Sequence, residues 1–140
     1  FRSPENTAEE LQADGWFITG DLARQDAEGY ITIVGRQKDL VITGGFNVYP
    51  AEVENALMEL PGIRECAVFA CADHYWGERV EVAVCLDGTH AWQEDSLRRQ
   101  LKVALGPVKA PKRVHFIDQL PRNPVGKVVR REVKALLAAP

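Results

Sequence analysis

The sequence predicts an α+β protein: a small mixed sheet of about three strands packed with helices, preceded by a β-hairpin segment. Three observations lead there. The runs IRECAVFACA, RVEVAVCL and RVHFID are rich in β-branched and aromatic residues, as strands are. Between and after them lie segments whose apolar residues recur at helical spacing. Ahead of them, short aromatic and β-branched runs surround a turn signal.

The elements follow in order. Residues 1–14 are polar, with a short helix expected around Thr7 to Ala13. Trp16, Phe17 and Ile18 read as a short apolar strand, Asp26 to Gly29 (DAEG) as a turn, and YITIVG as a second strand. LVIT is a further short strand, followed by Gly44 and Gly45. PAEVENALMELPG is a helix. Pro50 suits its first turn, Glu52 and Glu54 favour its positive N-terminal end, and Val53, Ala56, Leu57 and Leu60 form one apolar stripe. Pro61 and Gly62 end it. In the second long strand Val80, Val82, Val84 and Leu86 alternate with Glu81, Ala83 and Cys85. EDSLRRQLKVAL is a helix with Leu97, Leu101 and Leu105 on one side and Gly106-Pro107 as its stop. After RVHFID, a last helix is expected in VVRREVKALLAA. No internal repeat or low-complexity stretch interrupts this order.

The 140 residues suit one domain, or a small domain with an appendage. An apolar fraction of 46% is too high for disorder, and a net charge of −3 is unlike a nucleic-acid-binding domain. The basic clusters VKAPKR and KVVRR are of the size usual for solvated faces, so no nucleic-acid partner is expected. No apolar run approaches the roughly 20 residues of a membrane helix, so no membrane span is expected. Cys66, Cys71 and Cys85 are odd in number and lack metal or redox spacing. They read as buried free thiols in a reducing compartment, hence a cytoplasmic location. His74, His90 and His115 lack partners at ligand spacing, so no metal-binding side chains are expected. The chain begins FRSPENTAEEL, without Met or a signal-peptide pattern, and reads as the middle of a longer polypeptide.

Four glycine-containing stretches could carry chemistry. TGD (Thr19 to Asp21) sets a carboxylate after a turn, where it could accept hydrogen bonds from a vicinal diol; a turn or helix-cap aspartate is the plainer reading. GRQKD (Gly35 to Asp39) gathers two cations and an anion after a strand, which composition alone reads as a solvated loop. TGGFN (Thr43 to Asn47) permits close approach of a ligand to backbone, or simply connects a strand to a helix. PRNPVGK ends like a phosphate-binding P-loop but is not one. Pro121 stands where the first glycine is needed, and Val128 where a hydroxyl would hold Mg²⁺. A lysine on a constrained loop can nevertheless neutralise charge on a transferring phosphoryl group.

Taken together and in this order, GWFITGDLA, GRQKDLVITGGFNVYPAEVE and LPRNPVGKVVRREV resemble the late motifs of the adenylate-forming superfamily. That superfamily comprises acyl-CoA synthetases, adenylation domains of peptide synthetases and beetle luciferases. The likeness spans nearly the whole chain and is nearest to malonyl-CoA synthetases. It implies an acid–thiol ligase working in two half-reactions: a carboxylate attacks the α-phosphate of ATP, with Mg²⁺, to give an acyl-adenylate and pyrophosphate, and the thiol of CoA then displaces AMP. It further implies that residues 1–37 end a large N-terminal domain and that residues 38–140 form the mobile C-terminal domain. The acyl pocket and a Gly/Ser/Thr-rich phosphate loop would then lie upstream of Phe1, leaving the isolated chain inactive.

Residue by residue, the resemblance assigns Asp21 to the ribose hydroxyls of the nucleotide, with Arg36 assisting and Ile33 packing nearby. It makes Lys38 the hinge on which the domain swings. Gly44 and Gly45 match the loop lining the pantetheine tunnel, and Trp76 an aromatic flanking it. Lys127 matches the adenylation lysine, whose acetylation switches off some relatives, so a lysine acetyltransferase and deacetylase are implied partners. Where related ligases place an aromatic and an arginine near the CoA nucleotide, this chain has Val108 and Ala110, and Lys109, Lys112 and Arg113 are left to supply the charge. Two alternatives remain: an adenylation domain that loads a carrier protein, and a non-catalytic binding module of the same fold.

Overall fold

The computed structural model describes residues 4–138. It divides into two compact units, Phe1–Lys38 and Asp39–Pro140.

In the first unit, helix α1 spans Pro4–Glu10, and strands β1 (Asp21–Gln25) and β2 (Ile31–Arg36) pair antiparallel. The DAEG turn forms as expected. Asp26 Oδ1 accepts the backbone N–H groups of Glu28 at 3.1 Å and Tyr30 at 2.9 Å, the self-capping that favours aspartate in turns. Two expectations shift. The helix begins at Pro4, whose fixed φ suits a first helical position, and is over by Glu10. Trp16 to Ile18 make only an isolated bridge, Leu11 to Phe17; the strand that pairs with β2 begins five residues beyond Trp16, at Asp21.

The second unit holds a five-stranded sheet, two strands more than expected: β3 (Val41–Thr43), β4 (Phe46–Val48), β5 (Ile63–Asp73), β6 (Gly77–Leu86) and β7 (Arg113–Phe116). The expected LVIT strand is β3, and the strand not foreseen is β4, its hairpin partner. Val41 pairs with Val48 and Thr43 with Phe46, leaving Gly44 and Gly45 as a two-residue loop. Both have positive φ, 57° and 81°, as the tight mirror-image hairpin turn requires. The glycine pair thus turns a hairpin rather than joining a strand to a helix. β5 runs antiparallel along the whole of β6; the other edge of β6 is shared by β3, at Gly77, and by β7, which is parallel.

Helices cover both faces. Val80, Val82 and Val84 pack with Val53 and Leu57 of α2 (Pro50–Met58) and with Leu97 and Leu101 of α3 (Glu94–Lys109). The residues that alternate with those valines are buried too. Ala83 and Cys85 meet Ala67, Phe69, Leu120 and Val133 of α4 (Arg130–Ala138) on the opposite face. Ala67 and Ala83 are register partners, and their small side chains leave room for α4 against the sheet. Gly106 (φ 78°) breaks α3 at the expected stop, but one further turn forms from Pro107 to Lys109. Among the described residues, no helix is long and apolar enough to cross a membrane.

Candidate functional site

The lysine bend of the second unit is built almost entirely from its own backbone. Arg122 bridges Val128 across it, and the Asn123 N–H donates to the Lys127 carbonyl at 2.9 Å. Asn123 Oδ1 accepts the N–H of Val125 at 3.2 Å and of Lys127 at 2.8 Å, while the Gly126 N–H returns to the Asn123 carbonyl. Gly126 takes φ 84°, where a side chain would be strained. Arg122 donates to the Gly126 carbonyl at 2.7 Å and pairs with Glu65 on β5, pinning the bend to the sheet. On the far side Arg130 donates to the Val68 carbonyl at 3.0 Å and to both oxygens of Glu54, at 2.7 and 3.0 Å. Lys127 projects from this frame exposed to solvent, and its ammonium makes no ion pair among the described residues.

In the first unit, the carboxylate and guanidinium expected at a ribose come together. Asp21 and Arg36 are register partners at the open end of the hairpin, and their side chains form an ion pair of 2.7 Å. Arg36 lines an open pocket of about 370 Å³ with Glu10, Ile18, Thr19, Gly20, Gln37 and Lys38. Ile33 presents an exposed side chain on the same strand as Arg36. Lys38 is the middle residue of a single 3₁₀ turn, Gln37–Asp39.

Gly44, Gly45 and Trp76 belong to one corner of the second unit. The Gly44 N–H donates to the Trp76 carbonyl at 2.9 Å, and a Cβ on Gly44 would stand 2.6 Å from the indole ring. Gly45 faces open space. The indole is held from behind: Asp73 Oδ1 accepts the N–H of Tyr75 and of Trp76, and the Tyr75 ring meets the indole edge-on. Those two backbone donors, Trp76 first, hold the Asp73 carboxyl below its ordinary range. Trp76 lines a depression of about 250 Å³ with Thr43, Pro107, Val108 and Lys112.

Two of the cations expected near the CoA nucleotide, Lys109 and Lys112, separate. The Lys109 ammonium is taken up by Glu52 of α2 at 2.6 Å and is not part of that lining. Lys112 is the one that reaches it, 5.5 Å from the indole centroid, close enough for a cation–π attraction. Sequence reading missed its neighbours: Arg98, Arg99 and Lys102 of α3 line a second depression with Lys112. The signal was the i, i+4 spacing of Arg98 and Lys102, which puts both on one helix face.

Also missed was a polar chain around the buried Glu81 on the α4 face of the sheet, its other members half-buried. Arg79 reaches Glu81 at 2.6 Å and Asp73 at 3.4 Å, and His115 Nε2 lies 2.8 Å from the other Glu81 oxygen. Burial opposes the charged form of Glu81, but hydrogen bonds from His115 and Arg79 outweigh it and keep its pKa below the ordinary value. The expected buried thiols are free; Cys85 is buried, Cys66 and Cys71 partly so. Burial and the nearby Glu54 push the Cys66 thiol up to about 12, so it is a poor nucleophile.

Residues 52–127 match the family model described as the AMP-binding enzyme C-terminal domain. Feruloyl-CoA synthase of an Amycolatopsis species is 46% identical over 94% of this chain and 26% of its own length. The fatty acid–acyl-carrier-protein ligase ScoC of Streptomyces coeruleorubidus is 43% identical over 94% of this chain and 25% of its own. Among solved structures, ATP-bound MatB from Rhodopseudomonas palustris aligns with a TM-score of 0.86 at 44% identity, over 96% of this chain and 27% of that one. The chain therefore spans about a quarter of the length of the relatives it matches.

Proposed function

Because the chain belongs to the family of AMP-binding enzyme C-terminal domains, we propose that it is the C-terminal portion of an AMP-forming acyl-CoA synthetase. In this reading residues 38–140 form the mobile domain with Lys38 as its hinge, and Asp21 with Arg36 ends the nucleotide site of a larger N-terminal domain. The observation that carries the reading is the ammonium of Lys127, which makes no ion pair among the described residues, on a bend where the N–H groups of Asn123, Val125, Gly126 and Lys127 are all hydrogen-bonded within the bend.

The chemistry follows from charge. When a carboxylate attacks the α-phosphate of ATP, negative charge gathers on the nucleophile and the phosphate oxygens. A fixed cation there lowers the barrier because it need not reorganise during the reaction. Lys127 supplies that cation. Asp21, oriented by Arg36, accepts the ribose hydroxyls, and the Gly44–Gly45 turn leaves the thiol a path free of side chains. Among the described residues no three His, Cys, Asp or Glu side chains are arranged to hold a metal. Acetylation of the exposed Lys127 would remove the charge and stop the first half-reaction.

The test uses the complete enzyme. Lys127→Ala lowers carboxylate-dependent pyrophosphate release by about 10²–10³-fold and leaves thioester formation from supplied acyl-adenylate. Equal loss in both half-reactions overturns the assignment. The 140 residues alone release no pyrophosphate. The relative that loads a carrier protein favours a second reading, in which the thiol belongs to a carrier; competing CoA against a loaded carrier in steady state separates the two.

A further inference from the structure

The β3–β4 hairpin is fastened differently at its two ends. At its base Val41 and Val48 are register partners buried in the core. Toward its tip it is held by the loop that joins β5 to β6. Asp73 and Gly77 are register partners, so His74, Tyr75 and Trp76 form a three-residue loop, followed by Gly77 at φ 75°. The Gly44 N–H donates to the Trp76 carbonyl at 2.9 Å, and the Ile42 N–H to Glu78 Oε2 at 2.8 Å. Among the described residues β3 shares one register pair with β6, Thr43 with Gly77. The Gly44–Gly45 turn therefore goes where the 73–77 loop goes. That loop hangs in turn on two charged side chains. Asp73 Oδ1 accepts the Tyr75 N–H at 2.9 Å and the Trp76 N–H at 3.0 Å. Arg79 donates from Nη1 to the Ala72 carbonyl at 3.2 Å and to Asp73 Oδ2 at 3.4 Å, and from Nε to Glu81 at 2.6 Å. His115 meets the other Glu81 oxygen at 2.8 Å. A polar run that starts on β7 thus ends on the backbone of Trp76 and, through its carbonyl, on Gly44.

We propose that Asp73, braced by Arg79, is a positioning residue for the thiol-transfer half-reaction. It fixes the loop that carries Trp76, and through that loop the Gly44–Gly45 turn. The inference rests on the reading that the thiol passes this turn, and it names the side chains that keep the passage in place. The tolerance there is small, because a single Cβ on Gly44 would stand 2.6 Å from the indole ring. A displacement of about 1 Å at the loop is enough to misalign a reacting group. The Lys127 bend is insulated from this chain. Arg122 and Arg130 tie it to Glu65, Val68 and Glu54, and none of those bonds runs to Asp73 or Arg79. The first half-reaction therefore does not feel the loop. The half-buried Asp73 is also the member of the run that can be removed with least harm, since the buried Glu81 keeps both Arg79 and His115.

The experiment measures the two half-reactions of the complete enzyme separately. Asp73→Ala removes the acceptor of both loop N–H groups. It slows thioester formation from supplied acyl-adenylate about tenfold and leaves the burst of adenylate unchanged. Asp73→Asn keeps an oxygen for the two donors and recovers most of the transfer rate. Arg79→Lys keeps the charge but loses the fork that spans Ala72, Asp73 and Glu81, and it gives the same split in milder form, which also serves if Asp73→Ala does not fold. Equal loss in both half-reactions, a transfer rate that ignores Asp73→Ala and Arg79→Lys, or Asp73→Asn as slow as Asp73→Ala overturns the positioning role. A ligase that transfers normally in all three variants sinks this inference and leaves the proposed function standing. A complete enzyme that forms no thioester with either CoA or a loaded carrier sinks the proposed function, and the role of Asp73 in transfer with it.

Discussion

Arg130 Nη1 lies 3.6 Å from Asp39 Oδ2, so the first residue of α4, three positions after Lys127, reaches the residue that follows Lys38. The same guanidinium holds Glu54 and the Val68 carbonyl. One side chain thus fastens the lysine bend to α2, to β5 and to the start of the second unit.

Arg130→Met removes all of these ties. Breaking a fully buried ion pair costs about 3–5 kcal/mol; Arg130 is about a third exposed, and solvent screening reduces the loss. The expected cost is about 2 kcal/mol, read as a lower urea midpoint with an unchanged slope. An unchanged midpoint would mean the guanidinium contributes nothing to stability.

Asn123→Ala tests the bend itself. Its Oδ1 serves two backbone donors, Val125 and Lys127, and losing both costs about 1–2 kcal/mol. Because the site is local, the larger effect is expected on adenylate formation in the complete enzyme, about tenfold slower, while thioester formation from supplied adenylate changes little. Comparable slowing of both steps would remove the bend from the first half-reaction.

Gly44 and Gly45 separate backbone strain from steric contact. Alanine at either meets a left-handed φ, costing about 1–2 kcal/mol. At Gly44 the new Cβ also lies 2.6 Å from the Trp76 ring, so Gly44→Ala destabilises more than Gly45→Ala and perturbs Trp76 fluorescence. Gly45→Leu, which points into open space, is expected to allow a normal burst of adenylate and slow CoA transfer. A slowed burst would contradict that assignment.

Glu81→Gln reads out the polar chain around Glu81. The folded pKa of Glu81 lies below its ordinary 4.5, so its contribution to stability is complete above pH 4.5 and is lost as pH falls through the lower folded value. Above pH 4.5 the variant is less stable, by about 1–2 kcal/mol, because the charge-assisted hydrogen bonds of Glu81 weaken; Arg79 is about a third exposed and keeps Asp73, which limits the loss. The gap from wild type closes on acidification. A gap that is constant down to pH 2 would show that Glu81 is not held ionised.

Much of the site was legible because its signals are local. The bend of Lys127 follows from Pro121, Asn123, Pro124 and Gly126 within one short stretch, and every bond that Asn123 makes in it spans four residues or fewer. Asp21 and Arg36 stand at the two ends of a hairpin whose turn is announced by DAEG, so their pairing is nearly local too. The β3–β4 hairpin was harder. LVIT was legible as β3, but its partner β4 has only three residues, too short for an alternation to register, and a glycine pair serves several kinds of turn.

By itself the sequence determined the identity and order of the main strands and helices, the stop at Gly106, and the rigid presentation of one lysine, because propensity, periodicity and turn chemistry act over a few neighbouring residues. Only the tertiary structure decided that both faces of β6 are covered, that the buried Glu81 is met by the half-buried Arg79 and His115, and which cations have a carboxylate partner. Lys109 and Lys112 look alike in the chain, yet Glu52, 57 residues away from Lys109, neutralises one while the other lies against Trp76 beside Arg98 and Lys102. The energy of a charge depends on what surrounds it in space, and folding chooses those surroundings from residues that sequence periodicity does not connect.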